Sequence, residues 1–160
     1  MSEWRRQALD GIRAGDKFTF SRTFRQDETE AFGDLIRDYN PVHYEPRFAG
    51  AKGFPGLICH GLLVGGMICE LGGQVGWLAA NMHFRFLKPV YFGDTVTCTV
   101  TIISISEKGW AEAEAVWVNQ DGVRVLEGTF DGYLPRQAEA EVLNKMLAEG
   151  DPTNKLAGER

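Results

Sequence analysis

The chain has 160 residues, a formal net charge of −5 and a sequence pI near 5.2, with 44% apolar and 24% charged residues. That is enough chain for one globular domain with a real core, spanning 1–160, and the composition sets aside general disorder. The acidic balance argues against nucleic acid or an anionic membrane as the main partner. The most apolar run, Leu57 to Cys69, is interrupted by His60 and falls short of the roughly 20 residues that span a bilayer, so a core helix is expected there. Cys59, Cys69 and Cys98 are an odd set with no paired spacing, and residues 1–16 hold no apolar signal core. A reducing, cytoplasmic location is the expectation.

Ser2 to Leu9 reads as a short helix capped by Ser2, and Gly11 with Gly15-Asp16 as a turn. Lys17 to Phe24 alternates, with Phe18, Phe20, Arg22 and Phe24 on one face, and reads as a strand. Asp27 followed by Glu30 is a capping-box pattern. It predicts a helix from about Glu28 with Phe32, Leu35 and Ile36 as its apolar face, ended by Pro41, which pushes Asn40 into extended backbone. Residues 41–59 are broken by Pro46, Gly50, Gly53, Pro55 and Gly56. So long a loop in a small domain is more often functional than not.

From Gly61 onward, Leu62, Leu63, Met67, Ile68 and Leu71 recur at helical spacing and predict a buried helix. Gly65, Gly66, Gly72 and Gly73 are each worth about 1 kcal/mol less than alanine in a helix, so a close approach by something else is expected. A curved sheet wrapped around the helix would supply it. Ala80 to Leu87 alternates, with Met82, Phe84 and Phe86 opposite Asn81, His83 and Arg85. Thr95 to Ser106 carries Val96, Cys98, Val100 and Ile102 on one face, then flips phase. Trp110 to Val118 is a strand, residues 119–122 a hairpin turn, and Val123 to Tyr133 a last strand that flips at Val125-Leu126. A phase flip marks a bulge or bend, and two adjacent bent strands let a sheet curl. A charged helix is expected over about 136–149, followed by a mobile tail over 150–160.

The chemistry-bearing residues cluster in the loop. Asp38 and His43 are five apart, and Pro41 keeps one helix from carrying both, so an irregular turn must bring them together; there, a carboxylate and an imidazole can hold one water. The alternative is that Asp38 and Asn40 form a helix-end Asx turn. His60 is either ligand-facing or a satisfied core histidine at a helix start, with the core reading favoured. Adjacent Cys59 and His60 make a poor chelate, and no Cys-x-x-Cys exists, so neither a metal nor another cofactor is expected. Cys59 has no obvious orienting acid to make it a nucleophile.

Three segments carry a family resemblance: Asp38-Tyr39-Asn40-Pro41-Val42-His43, Ile58-Cys59-His60-Gly61-Leu62-Leu63, and Phe86-Leu87-Lys88-Pro89-Val90-Tyr91-Phe92-Gly93-Asp94. Together with the opening strand after Arg13, they resemble the MaoC-like family of (R)-specific enoyl-CoA hydratases over roughly residues 11–133. The resemblance implies an α+β hot-dog fold, a curved antiparallel sheet wrapped around a central helix. It implies hydration of a trans-2-enoyl-CoA to an (R)-3-hydroxyacyl-CoA, or the reverse dehydration. Asp38 and His43 would be the water-activating pair, Asn40 an orienting residue and the Gly61 amide the oxyanion donor. His60, Leu62, Cys69 and Phe54 would meet the acyl-CoA substrate, and a homodimer is implied as well.

The sequence departs from the family at Arg37, where glycine is common, at Tyr44-Glu45 after the histidine, and at Cys69, where some members have serine. A hot-dog thioesterase is the alternative enzyme; it needs an acid on the central helix, where Glu70 is the only one and lies late. A non-catalytic acyl-CoA-binding subunit would not require the intact Asp38, Asn40 and His43 set.

Overall fold

A computed structural model describes residues 3–155; the proposed Ser2 cap lies outside them. Five strands form one antiparallel sheet in the order β1-β3-β4-β5-β2. They are β1 (Lys17–Thr23), β2 (Leu78–Phe86), β3 (Thr95–Ile105), β4 (Trp110–Asn119) and β5 (Arg124–Tyr133). The helices are α1 (Glu3–Asp10), α2 (Gln26–Ile36), α3 (Pro46–Ala51), α4 (Gly61–Gly65), α5 (Ile68–Val75) and α6 (Gln137–Ala148).

The alternation that predicts the strands also fixes which face is covered. Phe18 and Phe20 of β1, Val96, Cys98, Val100 and Ile102 of β3, and Ala111, Ala113, Ala115 and Trp117 of β4 are all buried. They form one core with Leu63, Val64, Met67, Ile68, Leu71 and Val75 of α4 and α5. The three β4 alanines leave room for the helices at the middle of the sheet. Burying such large apolar side chains stabilises by about 1.5–3 kcal/mol each. On the outer face, cross-strand hydroxyl pairs join Thr19 to Thr99, Ser21 to Thr97 and Thr23 to Thr95.

Both expected phase flips are register shifts. In β3 the pairing with β4 slips between Ile102 and Ser104, which leaves Ile103 exposed. In β5 the slip lies at Val125, so Val125 and Leu126 are both buried despite being adjacent. The Val125 carbonyl instead accepts from the Leu87 and Lys88 amides, which turns the chain after β2.

Several expectations are corrected. The central helix is two pieces: Met67, Cys69 and Glu70 amides bond carbonyls three residues back, so the chain tightens between α4 and α5. It is not buried all round: Leu62, Cys69 and Gly73 are exposed. The close approach falls at Gly61 and Gly65, where a Cβ would stand 2.7 Å from the Phe86 ring and 2.9 Å from the Phe84 ring. Nothing lies within 4 Å of such an atom at Gly73, and at Gly72 the contact would be an ordinary 3.7 Å, so their place in a helix is unexplained. The α2 box sits two residues earlier than expected: the Glu28 carboxylate accepts the Arg25 amide, while Asp27 pairs with the Arg25 guanidinium. Tertiary contact also rotates α2, burying Thr29 and Gly33 and leaving Leu35 80% exposed and Ile36 40% exposed. The 41–59 loop holds a 3-10 turn over Pro41–His43 and the helix α3, which the dense prolines and glycines obscured. The segment after α6 is anchored where it is described, because Asp151 forms a buried ion pair with Arg5. Arg5 also donates to the Gly73 carbonyl of α5.

Candidate active site

Helix α2 ends at Ile36, and Arg37 takes the left-handed conformation, φ 59° and ψ 35°. Glycine adopts this freely, whereas a side chain costs about 1 kcal/mol or more. The turn is closed by the Asp38 amide, which donates to the Gly33 carbonyl at 3.0 Å. It delivers Asp38 to the mouth of a cavity of about 580 Å³ between the loop, the α4 start and the chain after β2.

The two oxygens of Asp38 have separate roles. Oδ1 accepts the Asn40 amide at 3.1 Å, the expected Asx turn. Oδ2 lies 3.8 Å from His43 Nε2 and 3.8 Å from His60 Nε2. The helix-end reading of Asp38 therefore holds, and its second oxygen faces the two imidazoles. Asn40 Oδ1 accepts the Val42 amide at 3.3 Å and caps the 3-10 turn that carries His43.

His43 is buried, and its Nδ1 lies 2.8 Å from the Ile58 carbonyl. A carbonyl only accepts, so Nδ1 carries the proton and Nε2 presents its lone pair toward Asp38. Burial is the largest influence on this imidazole and holds its pKa below the usual 6.5, reinforced by His60 and opposed by the Ile58 hydrogen bond and Asp38. His60 is 1% exposed and stacks on His43 with centroids 3.8 Å apart. Its Nε2 lies 3.0 Å from the Asp38 backbone carbonyl, so this nitrogen is the donor. The favoured core reading of His60 is right as to burial, yet the ring touches both residues of the pair. Its Nδ1 is buried without a hydrogen-bond partner.

The separation of 3.8 Å is too long for a hydrogen bond but suits one water touching both groups. Asp38 Oδ2 and His43 Nε2 are both acceptors. A water between them directs one O–H to each and leaves an oxygen lone pair pointing outward. Asp38, His43 and His60 also lie close enough together to suggest a metal. The donor set does not fit one: His60 Nε2 is protonated toward a carbonyl, and only two free donors converge.

Of the other predicted site residues, Asn40, Phe54, Gly61 and Leu62 line the cavity. Cys69 does not. It is exposed on α5 and lines a separate apolar cavity with Gly72, Trp77 and Met82, because the break between α4 and α5 and the course of α5 carry it away. Cys59 lines the main cavity, but burial pushes its thiol up to about 11, so it is inert as a nucleophile. Two residues were given no role from sequence: Tyr44, whose hydroxyl donates to the Asp38 carbonyl at 3.2 Å, and Gly33, beside it on α2. A glycine in the middle of an otherwise good helix was the available signal.

The MaoC like domain matches residues 11–120. The chain belongs to this family. It is 33% identical over 104 residues to an (R)-specific enoyl-CoA hydratase of Aeromonas caviae, covering 62% of this chain and 78% of that one. It is 31% identical over 101 residues to a mitochondrial 3-hydroxyacyl-[acyl-carrier-protein] dehydratase of Arabidopsis thaliana, covering 60% of this chain and 59% of the relative. The solved (R)-hydratase from A. caviae superposes with a TM-score of 0.73 at 31% identity, over 78% of this chain and 98% of that chain. An R-hydratase from Pseudomonas aeruginosa at 23% identity and TM-score 0.73, over 81% and 86% of the two chains, agrees in fold. The architecture of this MaoC-like protein is thus the hot-dog fold, its sheet left open.

The state of His43 predicts a pH profile. Only the neutral imidazole accepts from water, and its pKa is held below 6.5. With His43 as the group that accepts from the water, the acid limb of kcat/KM should be centred below pH 6.5, with the rate falling as pH drops through it. A His43 limb centred above pH 7 contradicts this environment.

Proposed function

We propose that Asp38 and His43 together hold and deprotonate the water that this enzyme adds to an enoyl thioester. The enzyme is a hydro-lyase: it hydrates trans-2-enoyl-CoA to (R)-3-hydroxyacyl-CoA or runs the reverse dehydration. The observation that carries the assignment is the pair of inward-facing acceptors 3.8 Å apart, one on a carboxylate and one on a neutral imidazole. The water oxygen bonds C3 as one O–H bond breaks toward the pair. The π electrons pass to the thioester oxygen, and a proton returns to C2 from the same side. Asn40, whose Oδ1 serves the turn, keeps its NH₂ for the substrate. Phe54 and Leu62 supply apolar wall for the acyl group. In the thioesterase alternative the acid would be Glu70, which does not line this cavity.

The Gly61 amide is the donor for the thioester oxygen. It is the first residue of α4, whose Leu63 and Val64 amides already return to the His60 carbonyl. An N–H at a helix start has no intrahelical partner. We further propose a second copy of the chain against β2. This strand is a sheet edge and exposes Leu78, Met82 and Phe86, with Leu62 also exposed on α4. An unpaired apolar edge is a liability that a two-fold partner removes. The cysteine usage supports a cytoplasmic location for the assembly.

Three measurements test these assignments. Asp38→Asn and His43→Gln should each stay folded and lower crotonyl-CoA hydration, followed by loss of enoyl absorbance, by about 10²–10⁴-fold. Near wild-type rates in either variant, or free thiol release by the parent, defeat the reading. For Gly61, alanine and proline separate packing from the amide. Both put a Cβ against the half-exposed Phe86 ring, but only proline removes the N–H, and proline is tolerated at a first helical position. Gly61→Pro should lose about 10²–10³ in kcat while Gly61→Ala loses far less; equal losses mean that the amide is not the donor. Light scattering at micromolar concentration should give at least a dimer, and a monomer removes the β2 partner.

A further inference from the structure

One backbone carbonyl in the site receives two side-chain donors. The Asp38 oxygen accepts from the Tyr44 hydroxyl at 3.2 Å and from His60 Nε2 at 3.0 Å. A carbonyl has two lone pairs, so this pair of donors saturates it. The carbonyl belongs to the Asp38–Tyr39 peptide, one residue beyond Arg37, the only non-glycine residue with positive φ among the described residues. No glycine relieves that conformation, and the two side-chain donors add to the hold that the Gly33 carbonyl has on the turn. The orientation of this peptide sets the direction of the Asp38 Cα–Cβ bond, and so the place of Oδ2 relative to His43.

We propose that Tyr44 is a positioning residue for Asp38, its hydroxyl pinning the Asp38 carbonyl so that the carboxylate stays at water-sharing distance from His43. This rests on the assignment of Asp38 to the water. A slot exists for the hydroxyl: a Cβ at Gly33 would stand 1.8 Å from the Tyr44 oxygen, so any larger residue there would expel it. Gly33 and Tyr44 lie on opposite sides of the turn and fit each other. The Tyr44 ring also meets His43 and His60 edge-on, with centroids 6.3 Å and 6.0 Å away. Burial, with Asp34 and Asp38 nearby, raises its phenol pKa, which keeps the hydroxyl a donor. Tyr44 does not line the cavity, and its hydroxyl meets the Asp38 carbonyl, so it acts through Asp38.

Tyr44→Phe keeps the ring and removes the hydroxyl. With crotonyl-CoA as probe, kcat should fall about tenfold, the equivalent of one hydrogen bond, with KM unchanged and the circular dichroism of the parent retained. In an Asp38→Asn background the same change should cost nothing further, because no carboxylate remains to be misplaced. A wild-type kcat for Tyr44→Phe overturns the proposal. So does an equal tenfold loss in both backgrounds, which would make the hydroxyl independent of Asp38. If Asp38→Asn alone turns over normally, the assignment of Asp38 falls and the positioning role falls with it, an outcome distinct from the first two.

Discussion

The site depends on how closely α4 can lie against β2. Gly61 and Gly65 are one helical turn apart, and the Phe86 and Phe84 rings occupy the places where their side chains would be. Phe84 in turn meets Trp117 and Phe130 edge-on, tying this seam into the core. The seam fixes where α4 begins, and hence where the His60 ring and the Gly61 amide stand. A bulkier residue at either glycine would push the helix start away from the cavity or displace a phenylalanine.

From that fixed point a chain of hydrogen bonds sets the chemistry. The Ile58 carbonyl accepts from the Nδ1–H of His43, which leaves Nε2 as an acceptor. The Asp38 carbonyl accepts from the Nε2–H of His60, which prevents His60 from competing as a second base or a metal ligand at that nitrogen. Two adjacent, stacked imidazoles therefore have opposite roles for their Nε2 atoms, decided only by which backbone carbonyl each one meets. One oxygen of Asp38 holds its own turn and the other faces the two imidazoles, so the groups that build the loop are also those proposed to hold the water.

Much of the fold was legible in the sequence because strand periodicity is local. The alternation of β3 and β4, and the flips at Ile103 and Val125, are consequences of a period of two, and the bulges sit where the pattern breaks. The Asp38, Asn40 and His43 grouping was legible for a similar reason: Pro41 forces a turn, and a short turn has few ways to place three polar side chains. Helix faces were read less well. Phe32 packs as expected, but Leu35 lies outward and Ile36 lines the cavity, because the burial of α2 is set by Thr29 and Gly33, a long-range constraint that an apolar count does not contain.

The sequence by itself determined the order of the strands, their bends, the acid–imidazole loop and the glycine at the helix start, all properties of neighbouring residues. Only the tertiary structure decided which proton each histidine carries, since the partner carbonyls of His60 and His43 lie 22 and 15 residues away along the chain. It alone brought Tyr44 and Gly33 together over the Asp38 carbonyl and carried Cys69 out of the cavity. Those outcomes depend on how α2, the loop and α4 pack in space, and side-chain contact between distant segments leaves no period in the sequence to read.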